Sequence, residues 1–234
     1  MNSNLLNQSN IASYIDSTNV KPDATAADIS KLCAEAKQYG FHSVCVTPYR
    51  VREAKKFLAG ANTAIICVVG FPFGFTTTAE KINEAKTAIT AGANEIDMVI
   101  NIGAVKDGNF DFIQEEIRQI VAAVAPVEIK VIMEVGFLTQ KELVESCRRA
   151  KSAGAKFVKT STGFGPRIPT TEDIKIMRAA VGPKIGVKAS GGIHTFQQAK
   201  AMIEAGANRI GTSSALQIIG VATDRQKKDK LSNE

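Results

Sequence analysis

Short apolar runs alternate with amphipathic stretches along the chain. Between the runs, apolar residues recur at steps of three and four, as Ile29, Leu32, Cys33 and Ala36 do, which is the period of a helix with one buried face. Alternating strands and helices favour a parallel sheet covered by helices. Eight such units in about 200 residues predict an α/β fold of the closed (β/α)₈ type, a TIM barrel. The predicted strands are Tyr14–Thr18, Ser43–Val46, Ala64–Val69, Glu95–Ile100, Glu128–Glu134, Phe157–Ser161, Ile185–Ser190 and Arg209–Ser213.

Helix ends and the strands after them repeat a short motif. The copies are AGANEID at 91–97, SAGAKFVK at 152–159, AGANRIG at 205–211 and, more weakly, YGFHSVC at 39–45. Counted from the residue before each Gly, the seventh positions are Cys45, Asp97, Lys159 and Gly211. Because alternate strands of a barrel share interior layers, the repeat predicts that Asp97 and Lys159 point inwards at one height. The alternative is that AGA is only a common joint between helix and strand.

Composition fits one globular domain. The chain has 234 residues, of which 44% are hydrophobic and 22% charged, and nothing divides it into parts. We expect a single barrel domain over residues 1–234, with a polar tail from about 222 that frays. Near Thr171, the expected N-cap of a helix over 171–182, acidic residues fill the first turn.

Charge and cysteine usage narrow the partners and the compartment. The net charge of +6 suits an anionic ligand, but the basic residues are dispersed, so nucleic acid is not expected. The four cysteines lack CxxC spacing and only two histidines are present, so neither a metal nor another cofactor is expected. Without a signal peptide or membrane-length apolar run, the chain is expected in the cytoplasm and away from membranes. The sequence does not determine the oligomeric state, and it is compatible with a homo-oligomer.

Two lysines lie in predicted strands, where a buried ammonium is costly. Lys159 and Lys188 belong to neighbouring strands six and seven. If both point inwards, their charges disfavour each other, and one amine becomes neutral enough to attack a carbonyl and form a Schiff base. The alternative is that one or both reach outwards between helices.

Buried carboxylates supply the other half of acid–base chemistry. Asp97 is a candidate for ion pairing with the lysines and for proton transfer. Asp16, at the end of the first strand, is either a partner of a lysine or a cap for the next helix. Lys130 and Glu134 lie two positions to either side of Ile132, so all three are expected on one face of strand five. The pattern does not show whether that face points into or out of the barrel.

Glycine-rich segments follow the last three strands. STGFG, with Gly163, follows Lys159, ASGGIHT follows Lys188, and GTSS ends strand eight. Backbone N–H groups in such loops bind anions, and the last loops of this barrel often hold phosphate. The expected ligand therefore carries a phosphate. The expected binders are Gly163, Gly191, Gly192, Gly211, Ser213 and Ser214.

From Asp16 to Ser214 the chain resembles the deoxyribose-phosphate aldolases, a family of class I aldolases with a (β/α)₈ fold. The matching stretches are SVCVTPYRV, VVGFPFGFTTTAEK, GANEIDMVINIGAVKDGN, IKVIMEVGFLT, FVKTSTGF, GVKASGGI and RIGTSS. The resemblance implies reversible cleavage of 2-deoxy-D-ribose 5-phosphate to D-glyceraldehyde 3-phosphate and acetaldehyde, in deoxyribose phosphate catabolism. It implies that Lys159 forms the Schiff base, that Lys188 lowers the pKa of Lys159 and relays protons, and that Asp97 moves protons through water. Asp16 and Cys45 are expected to support them.

The chain departs from the family pattern in four motifs, the first of which reads DSTNVKP where relatives often have DHTLLKP. Ser17 and Thr47 replace a His and an Asn that relatives often carry, and Ala215 replaces a Gly. His194 stands where an Arg commonly follows GGI, which removes a fixed guanidinium near the expected phosphate. These changes bear on phosphate affinity and substrate range rather than on reaction type.

Two other functions remain open. A different Schiff-base aldolase on the same barrel would share Lys159 but accept another donor, and a substrate panel would separate the two. A non-catalytic phosphate-binding barrel would keep the glycine loops without two buried lysines, so Asp97, Lys159 and Lys188 together disfavour it.

Overall fold

Eight parallel strands close into a barrel in sequence order, and β8 pairs with β1. The structure, a computed structural model, describes residues 6–8 and 10–221. The closed barrel of eight parallel strands confirms the expected (β/α)₈ fold. The strands are β1 (Ile15–Asn19), β2 (Ser43–Val46), β3 (Ala64–Val69), β4 (Glu95–Val99), β5 (Glu128–Ile132), β6 (Phe157–Lys159), β7 (Gly186–Ser190) and β8 (Arg209–Thr212).

Helices cover the outside of the barrel and connect its strands. The helices are α1 (Ala26–Tyr39), α2 (Val51–Phe57), α3 (Thr78–Ala91), α4 (Ile102–Lys106), α5 (Phe110–Val124), α6 (Gln140–Ser152), α7 (Thr171–Val181), α8 (Phe196–Glu204) and α9 (Ala215–Ile218). Short 3-10 turns lie at Ile11–Tyr14, Pro48–Arg50 and Val135–Phe137.

Threonine caps begin four of the covering helices, each with a reciprocal capping box. The pairs are Thr25 with Asp28, Thr139 with Glu142, Thr170 with Asp173 and Thr195 with Gln198. The expected cap at Thr171 is therefore wrong by one residue. The extended backbone belongs to Thr170, whose side chain accepts the N–H of Asp173.

The apolar core lies between strands and helices, and only a small apolar cluster lies inside the barrel. In β2, for example, Val44 and Val46 join the large outer core, whereas Cys45 packs inside with Ile66 and Val68. This alternation follows from the two-residue period of a strand. It leaves most inward positions of β4 to β8 free for polar and charged side chains.

Strand five ends earlier than the sequence indicates. β5 stops at Ile132, and Glu134 takes a left-handed backbone with φ 52. Such a conformation is uncommon for a residue with a Cβ, and it breaks the alternation with Lys130. The expectation that Lys130 and Glu134 share a strand face is therefore wrong.

All four cysteines are free and buried. Cys33, Cys67 and Cys147 lie in the outer core, on the helix-facing side of the barrel wall, and Cys45 lies inside. Burial raises the pKa of Cys33 to about 11 and raises the pKa of Cys67 and Cys147 further still.

Two further expectations concern helices and the tail. Among residues 6–8 and 10–221, no helix combines the length and apolar character needed to cross a bilayer. The polar tail expected from about residue 222 falls outside the described residues.

Candidate active site

Three charged side chains from separate strands meet inside the barrel. Lys159 Nζ on β6 lies 2.8 Å from Oδ2 of Asp97 on β4, and Lys188 Nζ on β7 lies 2.9 Å from the same oxygen. Asp97 and Lys188 are fully buried, and Lys159 is 4% exposed. The structure thus places the two lysines and the aspartate together, as the strand pattern predicts, and neither lysine reaches outwards.

Each buried charge is stabilised by its neighbours. Burial favours the neutral form of Asp97, but Lys159, Lys188 and Lys130 outweigh it and hold the pKa of Asp97 well below its usual range. Burial also disfavours the ammonium of Lys188, yet the carboxylates of Asp16 and Asp97 raise the pKa of Lys188 above its usual value. Lys188 is therefore held mainly as a cation beside Lys159.

Asp16 is a partner of Lys188 and not a helix cap. Its Oδ2 lies 2.7 Å from Lys188 Nζ, and its Oδ1 accepts hydrogen bonds from Ser43 Oγ at 2.7 Å and Arg209 at 3.0 Å. The helix that follows β1 is capped instead by Thr25. These contacts also lower the pKa of Asp16 despite its burial.

A second layer of charge lies below Asp97, towards the N-terminal ends of the strands. Lys130 Nζ is 3.3 Å from Asp97 Oδ1 and also contacts Glu95. Arg209 lies 3.9 Å from Glu95 and forms the ion pair with Asp16. Burial would raise the pKa of Glu95, but His42, Lys130 and Arg209 lower it to about 2.

These ion pairs close into a ring in which cations and carboxylates alternate. The ring runs from Asp97 through Lys130, Glu95, Arg209, Asp16 and Lys188 back to Asp97. Three carboxylates offset three cations, so the ring is neutral in itself. Lys159 is attached to it at Asp97 as a seventh group, and the buried cluster balances when Lys159 carries no charge.

A pocket of about 1070 Å³ opens above this cluster, at the C-terminal ends of the strands. Lys159 is the amine of the cluster on its wall, whereas Lys130 and Lys188 lie beneath. All six residues expected to bind phosphate also line it, namely Gly163, Gly191, Gly192, Gly211, Ser213 and Ser214. The pocket therefore joins the reactive amine to the glycine-rich loops.

Glycine is sterically required at two of these positions. A Cβ on Gly192, which has φ 68, would lie 2.6 Å from the side chain of Ile168 in the loop after β6. A Cβ on Gly211 would lie 3.0 Å from Lys188 Cε and 2.9 Å from Ser190 Cβ. Gly192 thus lets two loops pack together, and Gly211 gives the Lys188 side chain room to reach Asp97.

Side chains tie the last two loops to each other. Thr212 Oγ1 donates to the carbonyl of Ile193 at 2.7 Å and accepts the N–H of Ser214 at 2.9 Å. His194 Nδ1 lies 2.9 Å from Ser214 Oγ. The histidine that departs from the family pattern therefore lies on the pocket wall, beside a serine of the expected phosphate site.

Cys45 and Glu134 have different places in the site. Cys45 is fully buried inside the barrel, and burial raises the pKa of its thiol. Glu134 accepts hydrogen bonds from both the N–H and the hydroxyl of Thr162. Glu134 therefore holds the loop that carries Gly163, a role that the sequence analysis did not assign.

The sequence analysis also missed Glu95 and Arg209. Each lies two residues before a predicted site position, Asp97 and Gly211 respectively, so each points to the same inner face of its strand. That spacing was readable from the sequence. The pairing of Arg209 with Asp16 across the closure of the barrel was not, because it depends on register.

Comparisons with known proteins identify the family to which the chain belongs. Residues 11–227 match the family model described as DeoC/LacD family aldolase. A deoxyribose-phosphate aldolase of Thermococcus gammatolerans is 55% identical over 213 residues, covering 89% of this chain and 95% of the relative. One from Aciduliprofundum boonei is 54% identical over 211 residues, covering 89% and 95%.

A solved structure extends the match to three dimensions. It is described as the unique tetrameric structure of deoxyribose phosphate aldolase from Aeropyrum pernix. It superposes with a TM-score of 0.85 at 33% identity and covers 91% of each chain.

Proposed function

We propose, from the premise that this chain belongs to the DeoC/LacD family of aldolases, that it cleaves 2-deoxy-D-ribose 5-phosphate reversibly to D-glyceraldehyde 3-phosphate and acetaldehyde. The chain is an aldolase, and hence a lyase, by that membership. The substrate is proposed because the relatives above carry the name deoxyribose-phosphate aldolase. The role that follows is breakdown of deoxyribose phosphate.

Lys159 is the proposed nucleophile. The observation that carries this assignment is that Lys159 faces the pocket while the six charges beneath it already balance. A neutral amine can attack the aldehyde carbon C1 of the open-chain sugar, and loss of water gives an iminium. The iminium withdraws electrons, so the chemistry requires neither a metal nor an organic cofactor.

Cleavage then needs a base at the C3 hydroxyl. Asp97, acting through a water molecule, takes that proton as the C2–C3 bond breaks, and the electron pair moves to the iminium to give an enamine. Glyceraldehyde 3-phosphate then leaves, and its aldehyde carbon is the former C3 of the sugar. Protonation of the enamine at C2 and hydrolysis by water release acetaldehyde and restore Lys159. Lys188, held as a cation, disfavours a second ammonium at Lys159 and completes the proton relay.

The phosphate is proposed to bind across the last loops. Gly163, Gly191, Gly192, Ser213 and Ser214 line the same pocket as Lys159, and neutral donors of this kind suit a phosphate. A sugar bound with its phosphate at these loops lies in the same pocket as the amine that C1 must meet.

Reductive trapping tests the nucleophile. Borohydride added with acetaldehyde should leave one ethyl group on the protein, and peptide mapping should place it on Lys159. Lys159→Met should abolish the adduct, whereas Lys156→Gln, a change at an exposed lysine three residues away, should retain it. An adduct on Lys188 alone would reverse the assignment, and no adduct would reject the Schiff-base mechanism.

A substrate panel tests the donor. Deoxyribose 5-phosphate should be cleaved with a higher kcat/KM than ketose phosphates or 2-keto acid aldols. Preference for another donor would assign the chain to a different Schiff-base aldolase. Binding of sugar phosphates with no turnover of any would instead support a phosphate-binding barrel.

Association and location are proposed on separate grounds. The relative from Aeropyrum pernix is described as tetrameric, and Tyr49 and Phe75 are about 80% exposed here. We therefore expect a homo-oligomer, which light scattering would measure. The four free thiols support a reducing compartment, and hence the cytoplasm.

A further inference from the structure

The two oxygens of Asp97 have different partners. Oδ2 receives both Lys159 and Lys188, while Oδ1 faces Lys130 at 3.3 Å. The terminal torsion of an aspartate is broad, so contacts on one oxygen alone leave the carboxylate plane loosely defined. Lys130 supplies the contact on the second oxygen.

Lys130 is itself held from the far side. Its Nζ contacts Glu95 and lies 5.7 Å from the centre of the Phe157 ring. Glu95 is in turn near His42 at 3.6 Å and Arg209 at 3.9 Å. Lys130 is fully buried and does not line the pocket, so it has no route to a bound substrate.

We propose that Lys130 is a positioning residue for the aldolase reaction: by closing the ring of alternating charges, it fixes the Asp97 carboxylate with one oxygen turned towards Lys159. The proposal rests on the function proposed above, since it assumes that Asp97 handles protons beside Lys159. It goes further in giving a role to a layer of charge that touches neither substrate nor nucleophile.

Lys130→Met tests the proposal, because methionine keeps most of the length and removes the charge. We expect kcat for deoxyribose 5-phosphate cleavage to fall on the order of 10- to 100-fold, with KM nearly unchanged, as for a misplaced catalytic group. We also expect the acid limb of the kcat profile to move to higher pH.

The direction of that pH shift follows from the charges around Asp97. Lys130 from β5, Lys159 from β6 and Lys188 from β7 all lower the pKa of Asp97. Cys45 from β2 and Asp16 from β1 also lie close enough to share this electrostatic environment. Removing the Lys130 cation raises the pKa of Asp97, so its carboxylate is lost at a higher pH.

A double variant separates positioning from simple charge balance. Lys130→Met alone removes the lysine partner of the Glu95 carboxylate. Lys130→Met/Glu95→Gln instead removes one charge of each sign. The double variant should recover most of the lost melting temperature but keep the low kcat and the shifted acid limb. Recovery of kcat together with melting temperature would show that Lys130 only offsets Glu95, and the proposal would be wrong.

A matched control exists elsewhere in the chain. Lys81 is also fully buried and pairs with Glu116 at 3.0 Å, between α3 and α5 and outside the barrel. Lys81→Met should lower the melting temperature without moving the acid limb. An unmoved acid limb in Lys130→Met would overturn the proposal. If Lys130→Met does not fold, the double variant still gives the comparison of kcat and pH profile.

The adduct assay keeps this proposal distinct from the proposed function. Both Lys130 variants should still form the acetaldehyde adduct on Lys159 under borohydride. No adduct in the unsubstituted chain would reject the Schiff-base mechanism itself. An adduct with unchanged kcat in both Lys130 variants would reject only the positioning role.

Discussion

Lys188 lies between two carboxylates, and that position fixes its charge. Asp16 and Asp97 contact its Nζ at 2.7 and 2.9 Å and raise its pKa. Because both carboxylates favour its ammonium form, Lys188 is not the neutral amine that attacks a carbonyl. The structure therefore distinguishes two lysines that the sequence treats alike: one buried between carboxylates, and one facing the pocket.

Replacing Lys188 by leucine should lower activity through Lys159. Without the neighbouring cation, nothing opposes a positive charge on Lys159, so less of the neutral nucleophile is present and kcat/KM at pH 7 should fall about 100-fold or more. Activity should partly return as the pH rises towards 9. Lys184→Gln, at an exposed lysine just before β7, should keep the original profile. A Lys188→Leu enzyme with an unchanged pH profile would mean that the two amines are not coupled.

Asp97 should contribute to chemistry more than to binding. It is fully buried beneath the pocket and is not among the residues that line it. Asp97→Asn should therefore lower kcat by on the order of 10²- to 10⁴-fold and leave KM similar. The melting temperature should also fall, since three lysines lose their shared carboxylate. A change confined to KM would show that Asp97 holds substrate.

The loops after β7 and β8 form one unit through Thr212 and the contact between His194 and Ser214. Ser214→Asp places a carboxylate against the proposed phosphate position. We expect a higher KM for deoxyribose 5-phosphate and a much smaller effect on unphosphorylated deoxyribose, which brings no second charge.

His194→Arg should act in the opposite direction. A guanidinium on the same wall should lower KM for the phosphorylated sugar, with a gain that shrinks as salt is added. Steady-state kinetics of both variants on both sugars gives the comparison. If Ser214→Asp affected the two sugars equally, the phosphate would have to bind elsewhere.

The strands and their inward-facing positions were predictable because both depend on short, local sequence patterns. The two-residue alternation in EID and FVK places Asp97 and Lys159 inside, and the structure brings their charged atoms within 2.8 Å. The end of β5 was not predictable, because Glu134 leaves the strand to bind Thr162 in a loop 28 residues away. The contact of Arg209 with Asp16 depends on the register of β8 against β1, which no local pattern encodes.

In the whole molecule, the barrel wall separates an apolar core on its outer side from a charged interior. Apolar side chains fill the layer between strands and helices, while charges from β1, β4, β5, β7 and β8 form the ring within. Every strand in such a barrel pairs on both sides, so none can detach without breaking two ladders. The ring adds ion pairs, such as that of Arg209 with Asp16 between β8 and β1, that exist only when the barrel is closed.

The rate at which the buried cysteines are alkylated reports how often the barrel opens. Cys45 lies on the inner side of the wall, and Cys33, Cys67 and Cys147 lie on the outer side. An alkylating reagent reaches any of them only when the chain opens, and their raised pKa values keep them as unreactive thiols until then.

Pulse alkylation read by peptide mass should therefore time the opening of each side separately. Because neither β2 nor β3 has a free edge, we expect Cys45 and Cys67 to be labelled at the same rate, the rate of global unfolding. Earlier labelling of Cys33 and Cys147 would show helices leaving a barrel that stays shut. Earlier labelling of Cys45 would mean that the polar interior admits reagent while the outer layer is intact.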